Sequence, residues 1–139
     1  IVPDGVVPIL VTDAGFRSDW LRAVRDLHWH YVSRVRNNTK VMSADDREWR
    51  PCSSLHTQVT AQARDLGAWQ LVKGNPMPTR LVLARRRSKG RDQLTRSGQP
   101  QQSKLARKAR KSAREPWLLA TSLDAKACSA HAVVVAYGR

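Results

Sequence analysis

Apolar positions along this chain recur with two different periods. Residues 8–12, Pro-Ile-Leu-Val-Thr, form a continuous apolar run, the pattern of a strand buried on both faces of a parallel sheet. Ser18 is placed to cap a helix, with Asp19 favourable in its first turn. Within that helix Trp20, Leu21, Val24 and Leu27 fall at helical spacing, while Arg22, Arg25 and Asp26 face away. From His30 to Arg36 the period drops to two: Tyr31, Ser33 and Val35 alternate with Val32, Arg34 and Arg36. Strand, helix and strand in so short a span predict a βαβ unit with parallel strands and a right-handed connection.

Beyond Asn37-Asn38, a turn, residues 41–64 are mixed, with a short helix expected around Cys52–Thr60. Leu66–Val72 and Thr79–Arg87 read as two strands of a hairpin joined by the Gly74-Asn75-Pro76 turn. Trp117–Ser122 is again an apolar strand, and Ser129–Arg139 is helical in period. Ala132, Val135 and Ala136 form one stripe of that helix, with Val133 and Tyr137 beside it, although three consecutive valines lower its intrinsic propensity.

Charge changes this picture most. The 139 residues suit a single domain, and their 41% apolar content supports a modest core. Against 11 Asp+Glu stand 25 Lys+Arg, a formal charge of +14, which favours a polyanionic partner, most simply nucleic acid. Residues 85–114 hold twelve positive charges and one negative, Asp92, a net +11. Rich in Ser, Gln and Gly and nearly free of large apolar residues, this block is expected to be a mobile loop or arm. No run approaches the roughly 20 apolar residues of a spanning helix, and no secretory signal is visible, so a membrane is not the expected partner. Cys52 and Cys128 lie far apart without a CxxC, and His28 and His30 have no third ligand beside them, so a zinc site is not expected. Two unpaired thiols without an export signal suggest a reducing cytoplasm. The chain starts at Ile1 and stops at Arg139 inside a helical pattern, and reads as an excerpt with an exposed sheet edge.

Asp13 ends the first strand and leads into Ala14-Gly15-Phe16-Arg17. Open α/β sheets place ligand and metal chemistry at the carboxyl ends of their strands; on position alone, an Asp there is more often the cap of a turn.

The run Pro8-Ile-Leu-Val-Thr-Asp-Ala-Gly-Phe-Arg17, followed by Trp20 and Tyr31-Val-Ser-Arg-Val-Arg36, resembles the central portion of bacterial insertion-sequence DDE transposases of the IS-four type. Glu115-Pro-Trp-Leu-Leu-Ala-Thr-Ser122 and a helix reaching Tyr137-Gly138-Arg139 continue the resemblance in order. It implies an α/β fold: a partial ribonuclease-H-like core, made of the βαβ unit and the C-terminal helix, with a β-rich insertion. Residues 1–36 would be the core strand-helix-strand, 37–115 the insertion with its basic loop at 85–114, and 116–139 the return strand and the start of the C-terminal core helix.

The same resemblance makes Asp13 the second of three carboxylates that hold two divalent metals, Mg²⁺ or Mn²⁺. The first would precede Ile1 and the third, a Glu, would follow Tyr137 by one to two helical turns, so residues 1–139 alone should be inactive. Two cations roughly 3.5–4 Å apart suit in-line phosphodiester displacement, and hard oxygen ligands suit those metals. Double-stranded DNA at transposon ends becomes the expected partner, with a homodimer for the full-length enzyme and a nucleoid-associated location in the bacterial cytoplasm. Arg34, Arg36, Trp117 and Tyr137 would contact that DNA. Arg85, Arg86, Arg87, Lys89, Arg107, Lys108, Arg110 and Lys111 would do so through charge. Trp117 suits stacking on an extruded base, worth on the order of 1–3 kcal/mol, and equally a strand-end place in the core. Arg34 suits a solvent-facing strand position as well as a DNA contact. Two rival readings stand beside the enzyme: a non-catalytic basic nucleic-acid-binding protein, and an inactive transposase remnant.

Overall fold

A computed structural model describes residues 2–15, 17–36, 38–86 and 94–139. Its framework is one seven-stranded sheet. In chain order the elements are β1 (Ile9–Thr12), α1 (Ser18–Asp26), β2 (His30–Val35), β3 (Lys40–Ser43) and β4 (Trp49–Pro51), followed by a 3₁₀ helix over Cys52–Gln58. Then come β5 (Arg64–Leu71), β6 (Met77–Ala84), α2 (Lys104–Arg114), β7 (Trp117–Thr121) and α3 (Ala130–Gly138). The strands lie in the order β1-β2-β7-β6-β5-β3-β4. Only β1 and β2 run parallel, as the βαβ reading requires; every other neighbouring pair is antiparallel.

Strand alternation sorts the central side chains onto two faces. Tyr31, Val35, Leu81, Leu83, Leu118 and Ala120 share one core with Leu21 and Val24 of α1. Val32, Val82 and Leu119 point the other way, onto Val133 of α3. Arg34 follows Val32 onto the α3 face at period two, and the chain therefore buries a guanidinium beside that helix.

Several sequence expectations are corrected. The first strand is not buried on both faces: β1 lies at the sheet edge, with Ile9 46% and Val11 45% exposed. Ser18 does not cap α1; Arg17 holds that position without a side-chain bond, and Ser18 is buried in the first turn. Leu21 and Val24 carry the packing of α1, while Trp20 and Leu27 are exposed. Arg22, expected to face away, instead binds Asn75 Oδ1 at 2.7 Å and the Asn75 carbonyl at 3.2 Å. This bond fastens α1 to the β5–β6 turn. In α3, Val133 is buried and Val135 is 37% exposed, so the two stripes are unequal. Strands β3 and β4 lay unread within the mixed segment.

The largest correction concerns residues 85–114, expected to be a loop throughout. From Lys104 to Arg114 they form α2. Ser103 Oγ caps it by accepting from the Ala106 amide at 3.1 Å, Ala106 is buried, and Lys111 and Arg114 in the last turn suit the negative end of the helix dipole. Ala, Arg and Lys are strong helix formers even without a large apolar stripe. Arg87 and Lys89 lie outside the described residues.

Candidate active-site cleft

The carboxyl end of β1, the start of β7 and the last turn of α3 meet at a cleft of about 570 Å³. Asp13 lies on its rim directly after β1, and Gly15, at φ +137°, turns the chain from there toward α1. That φ is one which residues with a Cβ rarely adopt. The Asp13 carboxylate accepts twice through Oδ1, from the Ala14 amide at 2.7 Å and from the Tyr137 hydroxyl at 3.2 Å. It caps no helix, and it faces the C-terminal helix across 124 residues of sequence.

Tyr137 in turn meets Trp117 edge to face, with ring centroids 4.8 Å apart and planes at 78°. The Arg86 guanidinium carbon lies 5.9 Å from the Trp117 ring centre, a distance at which a cation is attracted to an indole face. Burial pushes the Tyr137 phenol above its ordinary pKa, and the Asp13 charge pushes it further. The Arg34 guanidinium and a hydrogen-bonding contribution from it pull the phenol back down. Tyr137 is thus coupled to an acid on one side and a base on the other, and stays a protonated donor.

The polar atoms here are mostly donors. Arg34 is 7% exposed, and its Nε and Nη2 have no partner. Trp117 Nε1 and Thr12 Oγ1 are likewise buried and unpartnered. Buried polar groups normally find partners; Trp117 and Thr12 line this cleft, whereas Arg34 lines a separate pocket beside α1 and is linked to the cleft through Tyr137. Arg85, Arg86 and Arg139 also line the cleft.

The remaining sequence-proposed residues are placed elsewhere. Arg36, expected at the DNA, is tied inward: it bonds Ser112 Oγ of α2 and lies 3.9 Å from Glu115. Arg110 donates to the Gln101 carbonyl at 2.6 Å. Arg107, Lys108 and Lys111 are exposed on α2 and do not line the Asp13 cleft. Arg34 is buried and not the solvent-facing strand residue of the alternative reading. Sequence reasoning missed Arg80, whose Nη1 holds the carbonyls of Leu123 and Cys128 at 3.1 and 2.8 Å. Its Nε and Nη2 grip Asp65 Oδ2 at 3.1 and 2.8 Å across a bulge in β5. Arg80 so fixes the turn from which Ser129 launches α3, and through α3 the place of Tyr137. Nothing local in the sequence announces this. Thr12 was also missed, although a polar residue closing an apolar run is a readable signal.

A family model described as "Transposase DDE domain" matches residues 3–139. The chain belongs to the DDE transposase family. Comparison with curated proteins and with solved structures gives no significant match. Transposases of this family generally use a divalent metal. Among the described residues no group of three or more His, Cys, Asp or Glu could hold one. Asp13 supplies a single carboxylate surrounded by donors and cations, which fits one corner of a metal site and not a whole one. Among the described residues no helix is long and apolar enough to cross a membrane.

Proposed function

We propose that this transposase domain takes part in metal-dependent phosphodiester cleavage and strand transfer at the ends of a DNA transposon. Asp13 is read as one carboxylate of a three-carboxylate, ribonuclease-H-like site, with the others coming from outside the described residues. The observation that carries this reading is the Asp13–Tyr137 bond, which brings the end of β1 to the C-terminal helix that the resemblance requires. Mg²⁺ or Mn²⁺, when bound by the full carboxylate set, would supply charge for activating the attacking oxygen and stabilising the leaving one. The chain's own side of the site does the complementary work. The cations that line the cleft, Arg85, Arg86 and Arg139, would attract phosphate oxygens there. Trp117, half-buried in the cleft with Arg86 over its ring, is the candidate stacking platform for a base. Residues 1–139 by themselves are expected to bind duplex DNA and not to cut it; the enzyme that carries the full set acts as a dimer on paired ends.

The test is strand cleavage by the transposase that completes the carboxylate set. Asp13→Asn should abolish nicking while leaving duplex affinity within about twofold, since only one exposed charge changes. Nicking that survives the substitution would remove the catalytic role, and the basic-binder reading would then be preferred.

A further inference from the structure

Helix α2 is the least neutralised element of the chain. Its eleven residues carry six cations, Lys104, Arg107, Lys108, Arg110, Lys111 and Arg114, and no carboxylate. Like charges three or four positions apart on a helix repel, and Lys104–Lys108, Arg107–Lys111 and Lys111–Arg114 are such pairs. Among the described residues no ion pair involves an α2 cation, and Glu115, just past the helix, is given over to Arg36. A helix charged this way gains most from a partner that brings many negative charges at once.

The helix also has two distinct faces. Inward, Ala106 is buried, Ser112 Oγ receives Arg36, and Arg110 donates to the Gln101 carbonyl. Outward, Lys104, Arg107, Lys108, Lys111 and Arg114 are all exposed. The clasp to Arg36 fixes these outward cations relative to β2. Arg114 stands three residues before Trp117, a reach of about 10 Å even when fully extended.

We propose that the outward face of α2 docks the phosphate backbone of duplex DNA, acting as a helix held in fixed register and not as a charged tail. The choice of DNA rests on the transposase reading above. The face itself favours it over a lipid surface, because an interfacial helix needs an apolar face to insert and Leu105 is the one large apolar side chain exposed on α2. At 1.5 Å per residue α2 is about 16 Å long, and a duplex offers roughly nine phosphate charges along that length.

Fluorescence anisotropy with a generic labelled duplex across a salt series tests this on the 139-residue chain. Combined Lys104→Gln, Arg107→Gln, Lys108→Gln and Lys111→Gln should weaken binding at least about tenfold and make the slope of log K against log salt shallower by about 3–4, near 0.9 per lost contact. Ala109→Pro keeps every charge and breaks the helix; it should also weaken binding at least about tenfold. Should Ala109→Pro fail to fold by its thermal transition, Ser112→Ala, which cuts the tie to Arg36 at unchanged charge, should weaken binding several-fold. Unchanged affinity in the charge-preserving variants means a tail and overturns the proposal. So does wild-type affinity in the fourfold variant; binding then lost with Trp117→Ala would leave the cleft reading intact. Tighter binding to phosphatidylserine vesicles than to duplex overturns it in favour of a membrane.

Discussion

Tyr137 reports on Asp13, because its hydroxyl donates to that carboxylate. Tyr31 and Tyr137 are the chain's two tyrosines, and both are raised above 10.0, first by burial. In a Tyr31→Phe background an ultraviolet titration therefore follows Tyr137 alone. It should ionise above pH 10.0, and Asp13→Asn should bring it down, since the second cause of its shift is the Asp13 charge. No movement would mean that the two side chains are not in contact in solution. A raised phenol contributes stability that is complete below the unfolded value and lost as pH climbs through the folded one. Asp65 has the opposite sign. Its bonds to Arg80 hold the carboxyl below its usual value of 3.8, so its contribution is present above that pH and lost as pH falls below it. Asp65→Asn should destabilise at pH 7 by about 1–3 kcal/mol, the cost of leaving Arg80 donors poorly paired. The same substitution should flatten the acid limb of a thermal-midpoint profile; an unaltered limb would show that the Arg80 clasp carries little.

At the scale of elements, capping decides how well α3 presents Tyr137. Ser129 Oγ accepts from the Ala132 amide at 3.1 Å, and the three valines that follow give the helix little propensity of its own. Ser129→Ala should cost about 1 kcal/mol in urea unfolding, and Ser129→Asp should restore most of it; equal stability of all three would show that packing alone places α3. Elements that carry their period within themselves were legible: β1, α1, β2, β7 and α3 occur where the pattern put them, and so does the β5–β6 hairpin, although β6 runs Met77–Ala84 and stops short of Arg85 and Arg86. Those held by distant partners were not. Helix α2 lacks a large apolar stripe and depends on its cap and on Arg36, 76 residues from Ser112. Strands β3 and β4 are short, and β4 pairs only with β3, which in turn pairs with β5. The site divides the same way. Asp13 stood out by its place after an apolar run, Trp117 and Tyr137 by resemblance, whereas Arg80 and the burial of Arg34 depend on a fold that the local sequence does not spell out.

Across the whole molecule, the sheet order puts the parallel pair β1–β2 at one end and the antiparallel strands β5, β3 and β4 at the other. Asp13 consequently sits beside an open edge, with cations from the β6–α2 segment and from the end of α3 around it. One acid among several cations is the arrangement that the proposed function expects on the phosphate-holding side of a nuclease-like cleft, which on that reading takes further carboxylates from outside the described residues. The most direct test of Asp13 as a metal ligand is a metal-specificity switch in the transposase that supplies those carboxylates. Asp13→Cys replaces a hard oxygen with a soft thiolate, which Mg²⁺ tolerates poorly and Mn²⁺ accepts better. Strand cleavage by the variant should be lost in Mg²⁺ and substantially recovered in Mn²⁺, with duplex binding the same in both. Equal cleavage in the two metals, or none in either while Asp13→Asn still cuts, would contradict the role given to this carboxylate.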